Sequence, residues 1–536
     1  MSGIAGIINL DGRSVSSDAL RRMTEALVRC GPDAIKYVAD GQVGLGHAML
    51  RTTPESLHDS QPYFSCEAGL AITADARLDN RNDLILELEI ESGDEVPDSL
   101  LILAAYQKWG TDCAARLLGD FAFAIWDRKQ RRLYCARDHF GVRPFCYFSG
   151  TGRFVFASGV KAVLAAGDVP DDLNEGRIAD FLVEQLEGYD KVSTFYRQIF
   201  KLPPAHFMVI DERGVRLTEY WALDPGREIR YSTDDQYLEA FREIFTEAVR
   251  CRLRSLNPVG TLLSGGIDSA TVLGTARRID GSSDGLIALS GISPPTEDCI
   301  ETRLIREVLN VLPVSSSLVR WDELEPYIEE LDRAIDNLDD LNDASMVLQR
   351  VMYIEAGRRG VRVVLDGIDA DVVTSTTIHL SDLLRRGSLV TAIREARGLS
   401  TFYKGFYSPL NLLFGAALSA FTPFSLRGPI RRLGRRGRLN RAIAGTMISH
   451  DFADRICLND RLDHLAAYGW AEKGESLAEK HARTINHPYL TVGVDRYRRV
   501  SASHGIEARH PFLDKRLAEY CVSIPWDQKI RDGWTK

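Results

Sequence analysis

Leu262-Leu-Ser-Gly-Gly-Ile-Asp-Ser269 decides the fold of the second half of this chain. The apolar run Val259 to Leu263 leads into it as a buried strand, and a helical pattern leaves it. Gly265 and Gly266 let the backbone approach an anion, while the helix that follows aims free N–H groups and its positive dipole end at the same place. Ser264 and Ser269 add hydroxyl donors, and the Asp268 carboxylate suits magnesium rather than phosphate itself. No GxxxxGK[ST] loop occurs here, so this is not a kinase- or GTPase-type site.

Outward from that loop, a long helix pattern runs from about Asp234 to Leu253. Strand-like runs follow at Leu286 to Leu289, Val314 to Val319 and Val361 to Leu365, each separated by helical stretches. That alternation predicts βαβ units and a doubly wound parallel sheet, an α/β domain with ligands at the carboxyl ends of its strands. The first half has another rhythm. Phe121, Phe123 and Ile125 share one face of a half-buried strand, and similar runs occur at Leu133 to Ala136, Phe154 to Ala157 and Phe207 to Ile210. Ser17 is placed to cap a helix carrying Leu20, Met23, Leu27 and Val28. Clustered strands with few helices predict an α+β sandwich. The turn Asp224-Pro-Gly-Arg227 separates a first domain, 1–224, from a second, 228–536.

A chain of 536 residues exceeds what one core usually organises, which agrees with two large domains. A net charge of -9 argues against nucleic-acid binding through the overall field. The 9 cysteines are scattered with no CxxC pair, as expected of free thiols in a reducing compartment rather than of disulfides or a zinc site. The N-terminus has no basic n-region and reaches Asp11 early, so no signal peptide is expected and the chain reads as cytoplasmic. Gly405 to Leu426 carries no charge over 22 positions, and 7 arginines then lie between Arg427 and Arg441. Pro409 and Pro423 bracket the apolar stretch and polar residues dilute it, which favours a buried helical hairpin or groove wall over membrane-surface contact, with a true span last. The arginines read as a solvated face, or else as a docking surface for an acidic peptide or lipid.

Ser264-Gly-Gly-Ile-Asp-Ser269 resembles the pyrophosphate loop of the ATP pyrophosphatases, and its surroundings resemble the asparagine synthetase family. Met1-Ser-Gly-Ile-Ala-Gly-Ile7, Leu118-Gly-Asp-Phe-Ala-Phe-Ala-Ile-Trp-Asp127, Ala136-Arg-Asp-His-Phe-Gly141 and Ser503-His-Gly-Ile-Glu-Ala-Arg-His-Pro-Phe-Leu-Asp514 resemble further stretches of that family in the same order. The resemblance implies an αββα N-terminal-nucleophile-like sandwich followed by an adenylating domain that uses ATP and Mg2+. It implies that Asp268 and Asp371 hold the metal, and that Leu263, Ser264, Gly265, Gly266, Asp268, Ser269, Ser290, Asp366 and Gly367 face the nucleotide. On the residues alone, Asp371 also reads as a helix N-cap.

Departures from the family pattern refine this. The family's nucleophilic cysteine is Ser2 here, its glutamine-binding arginine aligns with Met49, its Asn-Gly-Glu with Asp75-Ala76-Arg77, and a substrate-contacting aspartate with Leu118. The expected first domain is therefore a degenerate amidotransferase without glutaminase activity. The family's general-base glutamate aligns with Ile368, where β-lactam synthetases place a tyrosine. The stretch Leu365-Asp-Gly-Ile-Asp-Ala-Asp371, with Arg509-His-Pro-Phe-Leu-Asp514 and Arg531-Asp-Gly-Trp-Thr-Lys536, looks most like the lasso peptide cyclases. These are ATP-dependent macrolactam synthetases that join an Asp or Glu side chain of a leader-free core peptide to its own N-terminal amine. That resemblance implies a precursor peptide, a leader peptidase and a leader-binding protein as partners. Asp369 is the candidate base for the incoming amine, although the three carboxylates also fit a hydrogen-bonded loop plus one metal ligand. Arg509 and His510 either contact phosphate or hold the last helix. The family also carries a transition-state lysine in a segment beyond a stretch like Trp534-Thr-Lys536; here either that segment is missing or Lys536 serves. The other readings are a small-molecule ligase of the β-lactam or asparagine type, or a nucleotide- and peptide-binding pseudo-synthetase without chemistry.

Overall fold

The computed structural model describes residues 2–91, 95–281, 285–335, 346–375, 379–403, 406–423, 425–426, 435–468 and 475–535. Lys536, Gly405, Phe424, Arg427, Arg431 and Arg432 lie outside the described residues.

The first half builds two six-stranded antiparallel sheets. One runs, in spatial order, Ile199–Lys201, Cys146–Gly150, Arg153–Ala157, Gly3–Asn9, Val43–Met49, Ala34–Asp40. The other runs Gly214–Glu219, His206–Asp211, Arg132–Arg137, Gly119–Asp127, Leu70–Leu78, Tyr63–Ser65. Their inner faces meet through Ile4, Ile8, Leu45, Ala122, Ala124 and Phe156. Helix Asp98–Trp109 covers the outer face of the second sheet, and helix Ser17–Glu25 that of the first. This is the expected αββα sandwich. It corrects the half-buried reading of the strand Gly119–Asp127, which is buried on both faces. Phe121, Phe123 and Ile125 pack under the helix layer, while Ala122, Ala124 and Trp126 face the opposing sheet. Small alanines on the inner side admit the second sheet, and their modest hydropathy hid that burial in the alternation. The helix cap is Ser16, not Ser17: the Ser16 hydroxyl accepts from the Ala19 N–H at 3.3 Å. That helix stops at Glu25, so Val28 lies beyond it and is exposed.

Gly226 N–H donates to Asp224 Oδ1 at 2.8 Å, forming the turn expected at Asp224–Arg227. The second half then folds around a five-stranded parallel sheet in the order Ser315–Arg320, Leu286–Ile292, Val259–Leu262, Val363–Leu365, Glu507–Arg509. Strands move outward one way from Val259–Leu262 and then the other, the doubly wound order. Val363 and Leu365 feed the core under helices Asp234–Leu253 and Lys515–Ser523, whereas Val364 feeds the core under helix Val347–Arg358. Both faces are thus covered, as a parallel sheet requires.

The uncharged stretch departs from the buried reading. Helix Pro409–Phe421 has no buried residue. It packs on helices His379–Arg385 and Leu389–Phe402, and Arg385 donates to the Ser419 and Ala420 carbonyls near its end. Phe406, Leu410, Phe414, Leu418 and Phe421 stay exposed. Thirteen residues give the helix one supported side and leave the rest in solvent. No described helix is long and apolar enough to cross a membrane.

Buried charges join the two halves. Glu507, on the edge strand, accepts from Arg143 Nη2 at 2.9 Å, Arg509 Nε at 2.8 Å and Thr52 Oγ1 at 2.7 Å. Arg252 pairs with Asp514 at 2.9 Å and lies 3.6 Å from Asp79 and 3.9 Å from Asp120 of the first half, which also hold Arg77. Removing one member strands its partners in a dry interior. Glu507→Ala is expected to cost about 3–5 kcal/mol in urea denaturation. Burial opposes the charged form of Glu507, but the Arg509 and Arg143 guanidiniums outweigh it and hold the carboxyl well below the usual range. Its contribution is therefore full above the unfolded glutamate pKa and is lost as pH falls through the lower folded value. The wild-type minus Glu507→Ala difference should shrink on acidification.

Candidate active site

The doubly wound order brings together two loops far apart in sequence. Val259–Leu262 and Val363–Leu365 are hydrogen-bonded neighbours, so Ser264–Ser269 and Asp366–Asp371 leave the same edge of the sheet side by side. Contact is close: a Cβ on Gly367 would lie 2.9 Å from Ser269 N and 3.0 Å from the Asp268 carbonyl carbon. Only glycine lets these backbones approach so far.

The first loop holds its shape through its own groups. Gly265 takes φ +77 with its Cβ position facing the Glu301 carbonyl at 2.8 Å. Ser264 N–H donates to Ser269 Oγ at 3.2 Å, and the Ser269 hydroxyl donates to the Gly266 carbonyl at 3.1 Å. Gly266 is the N-cap of helix Ile267–Asp280 and supplies no side chain to the first turn. The N–H groups of that turn are the ready-made donors of an anion site. Leu263 and Ser290 lie at the carboxyl ends of neighbouring strands, beside the loop. Leu263 is buried in the core beneath, and the Ser290 hydroxyl donates to the Leu263 carbonyl at 2.8 Å, which fixes the strand end.

In the second loop, Asp366 is buried; its Oδ1 accepts from Ile368 N–H at 3.2 Å and pairs with His510 Nδ1 at 2.9 Å. Its Oδ2 has no hydrogen-bond partner among the described residues. Burial works against a charged His510, but the Asp366 carboxylate raises its pKa above the ordinary value. Asp369 adopts φ 59 as N-cap of the short helix Ala370–Thr374, with Oδ2 buried and unpartnered. Burial raises the Asp369 pKa to about 7, His510 opposes this, and Asp366 adds to it. The helix cap is thus Asp369, while Asp371 sits exposed in the first turn. Arg509 and His510 both turn inward: Arg509 donates to Glu507 and to the Arg252 and Arg254 carbonyls. They hold the edge strand and the acidic loop.

One neighbour lay outside the sequence reading. Tyr353 is fully buried, its hydroxyl has no partner among the described residues, and its pKa is pushed up by burial and by the Asp366 charge. It comes from helix Val347–Arg358, inside an ordinary apolar pattern that gave no signal. Among the described residues no group of three or more His, Cys, Asp or Glu is placed to hold a metal. Asp268 lies in the first loop and Asp371 in the helix turn after the second, neither of them buried, and two carboxylates are a donor set that fits Mg2+ completed by substrate phosphates.

A second candidate site lies at the start of the chain. Ser2 is buried; its hydroxyl accepts from Leu50 N–H at 3.0 Å and donates to Met49 Sδ at 3.7 Å. The cavity beside it measures about 30 Å³ and is lined by Met49, Asp75 and Arg143 among others. That is room for about two waters. Arg77 points elsewhere, bound to Asp79 and Asp120.

Residues 1–221 match the glutamine amidotransferase domain model and residues 240–536 the asparagine synthase model. A putative asparagine synthetase (glutamine-hydrolyzing) 2 of Methanocaldococcus jannaschii is 31% identical over 52% of this chain and 57% of its own length. Asparagine synthetase (glutamine-hydrolyzing) 3 of Bacillus subtilis is 26% identical over 100% of this chain and 83% of its own. A putative asparagine synthetase (glutamine-hydrolyzing) of Mycobacterium bovis is 31% identical over 82% of this chain and 66% of its own. The aligned chain thus spans little more than half of the first of these relatives.

Gly367→Ala should force the two loops apart, because the new methyl meets backbone rather than a yielding side chain. A loss of about 1–3 kcal/mol in thermal denaturation is expected, with secondary structure by circular dichroism unchanged.

Proposed function

The chain belongs to the asparagine synthase family, and on that premise we propose that it is an ATP- and magnesium-dependent amide synthetase that works without hydrolysing glutamine. The observation that carries this is the junction of the Ser264–Ser269 loop with the Asp366–Asp371 loop at the switch point of the sheet. A carboxylate is a poor electrophile. Its oxygen would attack the α-phosphorus of ATP while pyrophosphate leaves toward the N–H groups of the first loop. The amine nitrogen would then attack the acyl carbon, AMP would leave, and the amine proton would pass to Asp369, whose unpartnered Oδ2 makes it the candidate base. Asp268 and Asp371 would hold magnesium, which supplies charge neutralisation at the phosphates. Ser264, Gly265, Gly266, Ser269 and Gly367 would line the nucleotide through backbone and hydroxyl groups. Leu263, Ser290 and Asp366 would support that lining from below.

Two substrate readings follow. The relatives are named asparagine synthetases, which favours a small-molecule acid. The acidic loop Asp366-Gly-Ile-Asp-Ala-Asp371 supports the other, closure of a macrolactam between a side-chain carboxylate and the N-terminal amine of a leader-free peptide. A precursor peptide, its leader peptidase and a leader-binding protein would be the partners in that case. Pyrophosphate release, measured with small amino acids and with leader-free peptides, separates the two. A peptide product lighter by one water supports the macrolactam, and release with small acids alone supports the small-molecule ligase.

Asp268→Ala should lower pyrophosphate release by about a hundredfold or more, since both the metal and the developing charge lose a ligand. Asp369→Asn should slow amide formation by about a hundredfold while ATP–pyrophosphate exchange persists, because the base acts only after adenylation.

The small, polar cavity beside Ser2 supports the absence of glutaminase activity, against the wording of the relatives' names. Ser2→Ala should leave turnover unchanged, and glutamate should not be released from glutamine. Glutamate release that disappears in Ser2→Ala would overturn this part of the reading.

A further inference from the structure

A cavity of about 40 Å³ lies between the two halves, away from both sites above. Its lining is rich in cations. Arg137, Arg177, Lys201 and Arg498 border it, and Asp495 is the one carboxylate among the described lining residues. Asp495 is already shared: it accepts from Arg137 Nη2 at 2.9 Å and from Lys201 Nζ at 2.7 Å. Arg177 and Arg498 are each 4% exposed. Arg177 donates to the Glu187 carbonyl and acts from a distance on Asp180 and Asp190, Arg498 donates to the Ser158 carbonyl at 3.4 Å, and neither has a carboxylate within ion-pair distance among the described residues. Arg498 Nε is buried without a hydrogen-bond partner among the described residues. Nearby Arg496 has its pKa lowered by burial first, and then by the like charges of Arg499 and Arg177. Its carboxylate partner, Glu187, gives Arg177 its backbone oxygen.

Such crowding of buried cations is costly unless a counter-charge neutralises it. A cavity this size holds about three waters, the room of a carboxylate or small tetrahedral oxyanion. We propose that this inter-domain cavity is a binding site for a small oxyanion, held by Arg177 and Arg498 across the seam. Arg177 belongs to helix Glu175–Leu182 and Arg498 to helix Pro488–Ala502, so the anion bridges segments from opposite halves of the chain. Occupancy therefore stabilises the docking of one half on the other. The site is separate from the nucleotide loop and stands or falls independently of the synthetase reading.

The test is thermal unfolding of the full chain at constant ionic strength and neutral pH, with chloride exchanged for inorganic phosphate. A rise in Tm that saturates with phosphate is expected, unlike the steady rise that excluded salts give. Arg498→Gln and Arg177→Gln should each raise the half-saturating phosphate concentration about tenfold, the loss of one charge-assisted hydrogen bond. Because the readout is the difference between phosphate and chloride, a general loss of stability in a variant does not mimic it. Acetate in a parallel series shows whether a carboxylate serves as well as phosphate. No saturable rise, or a rise abolished by Ser269→Ala and kept in both arginine variants, would overturn the proposal and place the anion at the nucleotide loop or nowhere.

Discussion

The pairing of Val259–Leu262 with Val363–Leu365 is the constraint on which the rest of the molecule depends. These strands are parallel, so their carboxyl ends leave the sheet at the same edge. Everything the candidate site needs is delivered there. The first strand leads into a helix N-terminus, and the second ends in a loop of carboxylates. Gly367 sets the spacing, because its missing side chain lets the acidic loop rest on the backbone of Asp268 and Ser269. A slip in that register would separate the anion donors from the carboxylates.

The outermost strand, Glu507–Arg509, carries the constraint to the other half. Glu507 faces Thr52 and Arg143, and His510, one residue beyond the strand, grips Asp366. One short strand therefore holds the acidic loop from one side and the first domain from the other. This offers a physical reason for keeping an amidotransferase-like sandwich whose Ser2 cavity is small. The sandwich supplies Arg143, Asp79 and Asp120 to buried charge clusters in which Glu507 also holds Arg509 and Arg252 also holds Asp514. Paired and buried, these charges favour one docked arrangement, since any other leaves several of them stranded.

Some elements were legible from pattern and others were not. The strand Gly119–Asp127 announced itself by alternation, but alternation reports one apolar face and cannot report that alanines on the other face admit a second sheet. Helix Pro409–Phe421 shows the reverse error. Its composition reads as buried, yet burial requires a surface to cover it, and its described neighbours support one side only. Among the candidate site residues, Ser264, Gly265 and Ser269 stand out through a local motif. The core packing of Leu263 and the bond from the Ser290 hydroxyl to the Leu263 carbonyl show only in the folded chain. Tyr353 was silent because a tyrosine in an apolar helix face looks like core until its hydroxyl is found without a partner.

The sequence by itself indicated the fold class, the glycine-rich loop between strand and helix and the alternation of strands and helices, because these show in turn residues and apolar periods that are local to the chain. Turn residues and hydrophobic periods are local properties and can be read in place. Tertiary structure alone decided the company of each charged group: which aspartate caps a helix and which stays exposed, which arginines are neutralised by Glu507, and which are left around a cavity with one shared carboxylate. Those outcomes depend on residues hundreds of positions apart meeting in a dry interior. There the energy of a charge is set by its neighbours and its loss of water, and neither quantity is written in the chain.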